Sequence, residues 1–246
     1  MNISAAEKEE KRKTVESMFN SIARRYDFLN HFLSLGIDRL WRKKTVKIIA
    51  RHYKNPYILD VATGTADLAI AAAKMTEAKI VGIDISEKML EIGKEKVAKK
   101  GLSESVSLIK ADSENIPFPD NNFDVAMVAF GVRNFSDPSE GLYEMHRVLR
   151  NSGMIMVLEF SKPHSFPFRH LYNFYFRRAL PLIGRLFSGD KEAYTYLPHS
   201  VSKFPDNEDF LKMLSAAGFL ETRQIKLTGG IASIYTGLKI EEVFSC

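Results

Sequence analysis

The chain of 246 residues holds one cysteine, Cys246, so no disulfide can form within a single copy. That usage fits a reducing compartment, and a cytoplasmic location is expected. No uninterrupted apolar run approaches the roughly 18 residues a membrane span needs, and the charged stretch Met1 to Lys13 has no apolar secretory core. A soluble protein, or one peripheral to the inner face of the cytoplasmic membrane, is therefore expected. The histidines number six and are scattered, so no metal site is expected. Neither a long basic tract nor an RNA-binding signature is present, which argues against nucleic acid as a partner. There is no internal repeat and no Ser-His-Asp or Cys-His arrangement. The formal net charge of +5, from 35 basic and 30 acidic residues, is mild. It favours contact with anionic membrane surfaces or acidic ligands.

Two phosphate-binding signatures are also missing. The run Tyr57-Ile58-Leu59-Asp60-Val61-Ala62-Thr63-Gly64-Thr65-Ala66-Asp67 reads as a buried strand, a tight glycine turn and a helix start. It holds a single glycine, whereas the dinucleotide fingerprint needs three, and no lysine follows as in a P-loop. What is present is a row of polar strand ends. Lys79 to Asp84 is a strand that ends in a carboxylate placed to accept ribose hydroxyls. Val106 to Asp112 ends in another, where Asp112 can accept from an adenine amino group and Ser113 can assist. Phe123 to Ala129 is a near-continuous apolar strand, as expected when both faces are covered, and it runs into Gly131, Arg133 and Asn134. A ligand with a ribose, a charged tail and no phosphate fits this row, and S-adenosylmethionine (SAM) is such a ligand. An ordinary α/β turn with a surface aspartate would not make the strand ends agree. A nicotinamide-binding oxidoreductase is disfavoured by the missing glycines.

Strands alternating with helices predict a mostly parallel sheet of the doubly wound α/β kind. Helices are expected at Asp67 to Lys74, Glu87 to Lys100 with Ser86 as N-cap, Glu140 to Leu149 and Asp206 to Ala217 with Gly218 as its stop. A fifth strand is expected at Gly153 to Phe160, with two more near Thr222 to Leu227 and Ile234 to Leu238. Asn2 to Lys13 reads as a solvated helix or frayed tail. An apolar stripe of Val15, Met18, Phe19, Ile22 and Tyr26 follows, then Gly36 as a break and a basic helix from Leu40 to Tyr53. The expected organisation is an N-terminal helical cover (1–54), a SAM-binding core (55–162), an aromatic and basic helical insertion acting as a lid (163–200), and the rest of the core (201–246).

Tyr26-Asp27-Phe28-Leu29-Asn30, Phe118 to Asp124, Phe130-Gly131-Val132-Arg133-Asn134 and Leu158-Glu159-Phe160-Ser161-Lys162-Pro163 together resemble the UbiE/MenG type of quinone C-methyltransferase. The resemblance covers nearly the whole chain. It implies the Rossmann-like class I methyltransferase fold, with seven strands and a reversed last one. It also implies SAM-dependent methylation of a ring carbon of a polyprenylated quinol, demethylmenaquinol being favoured over the ubiquinone-pathway benzoquinol. Thr65, Asp84, Asp112 and Ser113 match the family's cofactor contacts, and Asp60, Gly64, Ile85 and Ala129 complete the expected cofactor set. Arg133, Asn134 and Tyr26 are the expected catalytic residues, with Arg133 favouring the phenolate and the other two orienting quinol oxygens or a water. The chain departs from the family pattern at Ala66, at Ala129 and at Asp38, which stands where a histidine is usual. Peripheral membrane contact and a homodimer are further expectations. A methyltransferase for another lipophilic or phenolic acceptor, and a silent binding subunit, are the alternatives.

Overall fold

The computed structural model describes residues 4–34, 36–163, 166–170 and 200–240. Most of the expected lid at 163–200 lies outside the described residues, as do His164 and His199 and the side chain of His31.

Seven strands form one sheet in the order β3-β2-β1-β4-β5-β7-β6. They are β1 (Tyr57–Val61), β2 (Lys79–Asp84), β3 (Val106–Lys110), β4 (Phe123–Ala129), β5 (Leu149–Phe160), β6 (Leu220–Leu227) and β7 (Ala232–Leu238). All neighbours run parallel except the pairs made by β7, which is antiparallel to both β5 and β6. The seven-stranded sheet with its reversed last strand is thus as expected. Strand order reverses between β1 and β4, and in open α/β sheets the ligand crevice lies at such a switch point, outside the strands' carboxyl ends.

Alternation along each strand feeds two cores. Ile58 joins Trp41, Ile49, Leu90 and Val125 on one face, while Leu59 and Val61 join Phe123, Leu142, Phe210 and Tyr235 on the other. The helices in chain order are α1 (Ala5–Leu33), α2 (Ile37–His52), α3 (Asp67–Ala73), α4 (Glu87–Lys99), α5 (Pro138–Val148) and α6 (Glu208–Ala216). Their ends follow local chemistry. Ser86 Oγ accepts from Met89 N to start α4, and Asp137 accepts from Ser139 N and Glu140 N to start α5 with Pro138 in its first turn. Gly36, at φ 75°, breaks α1 from α2 in a conformation that L-residues rarely adopt.

One expected boundary needs correction. The helix placed to end at Leu149 stops at Val148, and β5 begins at Leu149 because Leu149 pairs with Phe123. Of the two readings of the N-terminal stretch, solvated helix and frayed tail, the helix holds: residues 5–13 are exposed or half-buried turns of α1, tied down at a few points. Ser4 and Glu7 form a capping box, in which Ser4 N donates to Glu7 Oε2 at 2.8 Å and Glu7 N to Ser4 Oγ at 3.3 Å. Lys8 then pairs with Glu140 and Asp137, at 2.7 and 2.9 Å. No helix among the described residues is long and apolar enough to cross a membrane.

Candidate functional site

A cleft opens where β1, β2, β3 and β4 end, outside the carboxyl ends of the strands, where open α/β sheets bind their ligands. The turn after β1 makes one wall. Ala62, Gly64 and Ala66 all take positive φ, at 51°, 56° and 65°. Such a run is strained for L-residues, and strain of this kind persists only where surrounding bonds enforce it. Here Ala66 N donates to Thr63 O at 2.9 Å, and Thr63 Oγ1 to Asp60 at 2.6 Å. Phe130, just past β4, also takes a positive φ of 58°. A Cβ on Gly131 would lie 2.8 Å from Ala62 Cβ, so only glycine lets the two strand ends approach this closely.

The contortion presents the N–H of Gly64 to the cleft, where it donates to Asp84 Oδ2 at 2.8 Å. Asp84 Oδ1 accepts from Ser86 N at 2.8 Å. Each oxygen is fixed by a backbone donor. Burial pushes the carboxyl up to about 6, against the lowering effect of those N–H groups. At the other end, Asp112 Oδ2 accepts from Arg12 at 2.8 Å and Oδ1 from Glu114 N at 3.0 Å. Ala111, Ser113 and Glu114 flank it, and Ile85 and Met89 form the side wall. Ala129, Phe130, Gly131 and Asn134 line the end nearest β4.

Helix α1 roofs this cleft with Arg12, Val15, Phe19 and Tyr26. The Phe19 and Tyr26 rings meet edge to face at 5.8 Å. Asn20 Oδ1 accepts from Ser86 Oγ at 2.7 Å, tying the roof to the start of α4. Farther along, Asp27 and Asp67 both pair with Lys96 of α4, and Thr65 Oγ1 donates to Asp27. Arg12, Val15 and Phe19 were missed as site residues. Val15 and Phe19 belong to the apolar stripe read from the sequence, and its period says that a face is buried without saying what it covers.

Of the residues expected to hold the cofactor, Gly64, Asp84, Ile85, Asp112, Ser113 and Ala129 share the cleft wall. Thr65 and Asp60 do not. The Thr65 hydroxyl turns away into the Asp27–Lys96 cluster, where Lys96 Nζ lies 3.0 Å from it. Asp60 is 1% exposed and sits under the turn. It is pushed up to about 7 by burial and holds Thr63 in place. Of the expected catalytic residues, Tyr26 and Asn134 face the cleft and Arg133 is absent from its wall. Arg133 Nη1 donates to Glu159 at 2.7 Å and also to the Phe130 carbonyl, and the guanidinium lies over the Phe160 ring at 5.5 Å. Glu159 is fully buried, its Oε2 finds no partner among the described residues, and burial raises its pKa. Asp38 is also buried and pairs with Arg42 and, at 2.6 Å, with Ser34.

The chemistry of the cleft fits SAM. It offers a carboxylate acceptor at Asp84 and a polar edge at Asp112 and Ser113, beside a turn that lacks the glycines of a pyrophosphate cradle. Comparison with known proteins agrees. The model of the ubiE/COQ5 methyltransferase family matches residues 5–239. A protein of Geotalea uraniireducens named ubiquinone/menaquinone biosynthesis C-methyltransferase UbiE is 48% identical over 232 residues, 94% of this chain and 98% of that one. A demethylmenaquinone methyltransferase of Bacteroides fragilis is 44% identical over 230 residues, 93% and 94% of the two chains. Among solved structures, a SAM-dependent methyltransferase of Thermotoga maritima superposes with a TM-score of 0.65 at 19% identity, over 92% of this chain and 99% of the other. That likeness bears on the fold, which is the class I SAM-dependent methyltransferase fold. By sequence, the chain belongs to the ubiE/COQ5 methyltransferase family.

Proposed function

We propose that this protein methylates a ring carbon of demethylmenaquinol, with SAM as methyl donor, in menaquinone biosynthesis. The observation that carries the reading is Asp84. It is a carboxylate fixed by two backbone N–H groups beside a strained glycine turn, at the sheet's switch point, in a chain of this family. Bound SAM would supply an electrophilic methyl group on a sulfonium.

The protein's own residues bind, orient and exclude water. Asp84 takes the ribose hydroxyls, and Asp112 with Ser113 takes the adenine edge. Val15 and Phe19 close the cleft from above, which keeps water from the reacting centre. The acceptor carbon is a weak nucleophile until its neighbouring hydroxyl ionises, so the site must favour a phenolate. Tyr26 and Asn134 orient the quinol oxygens. Arg133 supplies positive charge from behind Phe130, already braced by Glu159, and does not act as a base, since a guanidinium stays protonated. The proton leaves through a water.

Methyl transfer from labelled SAM to chemically reduced demethylmenaquinone tests the reading, with the oxidised quinone and a reduced ubiquinone precursor run alongside. Label entering the reduced naphthoquinol alone is the expected result. Label in neither quinol, while SAM still binds, would send the search to other phenolic acceptors.

A further inference from the structure

The outer face of α2 carries charge of one sign. Arg39, Lys43, Lys44, Lys47 and Arg51 are all exposed, and none of them is ion-paired among the described residues. The only acidic residue of the helix, Asp38, is 3% exposed and paired inward with Arg42. Residues 39, 43, 47 and 51 follow one another at four-residue spacing. They form a stripe about 18 Å long at 1.5 Å rise per residue. Like charges at this spacing repel and weaken a helix.

A solvated face would be expected to mix its signs, and α4 does so: its exposed side carries Glu87, Lys88, Glu91, Lys94, Glu95 and Lys99. Uniform charge on α2 therefore calls for a partner of opposite sign.

Large apolar side chains are exposed as well. Leu40, beside Arg39, is 65% exposed, and Phe166 is 81% exposed. The next residue of α2, Trp41, packs on Phe130 of the cleft wall at 6.1 Å and donates to Thr228 Oγ1 at 2.9 Å. The adjoining Gly229 lies so close to Phe168 that a Cβ there would be 2.2 Å from its ring.

We propose that the outer face of α2 is a docking surface for an anionic bilayer, its cations on the headgroups and Leu40 and Phe166 in the interfacial layer. This proposal rests on the quinol reading, because a substrate with a polyprenyl tail resides in the bilayer and has to be reached there. Cations on such a face gain from a negative lipid surface, and exposed apolar side chains add to the hold. A nucleic acid duplex would match the cations but would leave Leu40 and Phe166 in water.

The test is co-sedimentation of the full chain with vesicles of phosphatidylcholine alone and of phosphatidylcholine mixed with phosphatidylglycerol. The chain should pellet with the mixed vesicles only, and less so as salt rises. Combining Lys43→Gln, Lys44→Gln and Lys47→Gln should lower partitioning by about a hundredfold, at roughly fivefold per cation. Leu40→Ser should lower it further. Methylation of a short-chain, water-soluble quinol should be unchanged in these variants, which shows that they fold. Equal pelleting with both vesicle types would overturn the proposal, as would a triple variant that binds like the parent. Salt-sensitive binding to duplex DNA without vesicle binding would overturn it in favour of a nucleic acid partner. Should the parent chain fail to methylate the short-chain quinol, the quinol reading falls while the vesicle result still decides the docking face.

Discussion

Asp84 is an acid whose affinity for its proton and affinity for a ribose compete for the same lone pairs. In the free protein burial holds it at about 6. Above that pH it is ionised and accepts from hydroxyl donors, and below it an acceptor is lost. SAM binding should therefore weaken as pH falls through 6, with Kd rising about tenfold between pH 7 and 5. Calorimetric titration across that range measures the slope. Asp84→Asn should bind weakly and show no such slope, and a variant with the parent's slope would remove Asp84 from the cofactor site. Arg133 raises a different issue, because its partner Glu159 is wholly buried. Removing the cation leaves that carboxylate unpaired in the interior, which typically costs about 3–5 kcal/mol. Arg133→Ala should thus lower stability by that order in denaturant unfolding. Arg133→Ala combined with Glu159→Gln should recover most of the loss. If the double variant is stable but turns over quinol far more slowly, the charge itself serves catalysis. If turnover returns with stability, Arg133 is structural.

At the scale of elements, α1 is the part whose role the sequence conceals. The carboxylates at the ends of β2 and β3 were legible because strand-turn-helix units of regular length place every strand end on one edge of the sheet. The direction of a side chain leaving a turn was not legible. Thr65 occupies the glycine turn as expected, yet its hydroxyl meets Asp27, 38 residues earlier in the chain. Arg12 meets Asp112 across 100 residues, a separation over which no local pattern carries information. The Ser4-x-x-Glu7 capping box was a local signal for where α1 begins, but not for where it docks. The cluster of Asp27, Thr65, Asp67 and Lys96 joins α1 to the glycine turn, so on the function proposed above the roof and the cofactor should be energetically linked. A double-mutant cycle with Asp27→Ala and Lys96→Ala should give a coupling of about 1 kcal/mol in stability, since these groups are partly shielded and share one network. SAM affinity should fall in both single variants, because each frees the turn that carries Gly64. Additive effects with unchanged affinity would show that the cluster only decorates the surface.

The molecule as a whole divides into a rigid sheet and a tethered roof. Strands β4, β5 and β7 lie at the centre of both cores, with Val125, Met127, Ile155, Val157 and Ile234 fully buried. Opening them requires unfolding the domain. The first half of α1 is held differently, mainly by side-chain bonds at its edge: Lys8 to Asp137 and Glu140, Arg12 to Asp112, Glu16 to Lys110 and Asn20 to Ser86. Most of these are partly exposed ion pairs, each worth about 1 kcal/mol or less. The roof therefore opens locally at a small fraction of the global cost, and this gives a cofactor its way in. Because Val15, Phe19 and Tyr26 line the cleft that the roof closes, a ligand filling the cleft adds contacts available only to the closed form. Hydrogen exchange should show residues 8–27 exchanging well before the central strands in the free protein. Added SAM should slow these amides by a factor that grows with its concentration, in proportion to 1 + [L]/Kd for opening that requires release. The strand centres should slow only by their share of global stabilisation. Uniform protection of roof and sheet would mean that α1 opens only when the whole domain unfolds, and the cofactor's path would then have to pass through another side of the cleft.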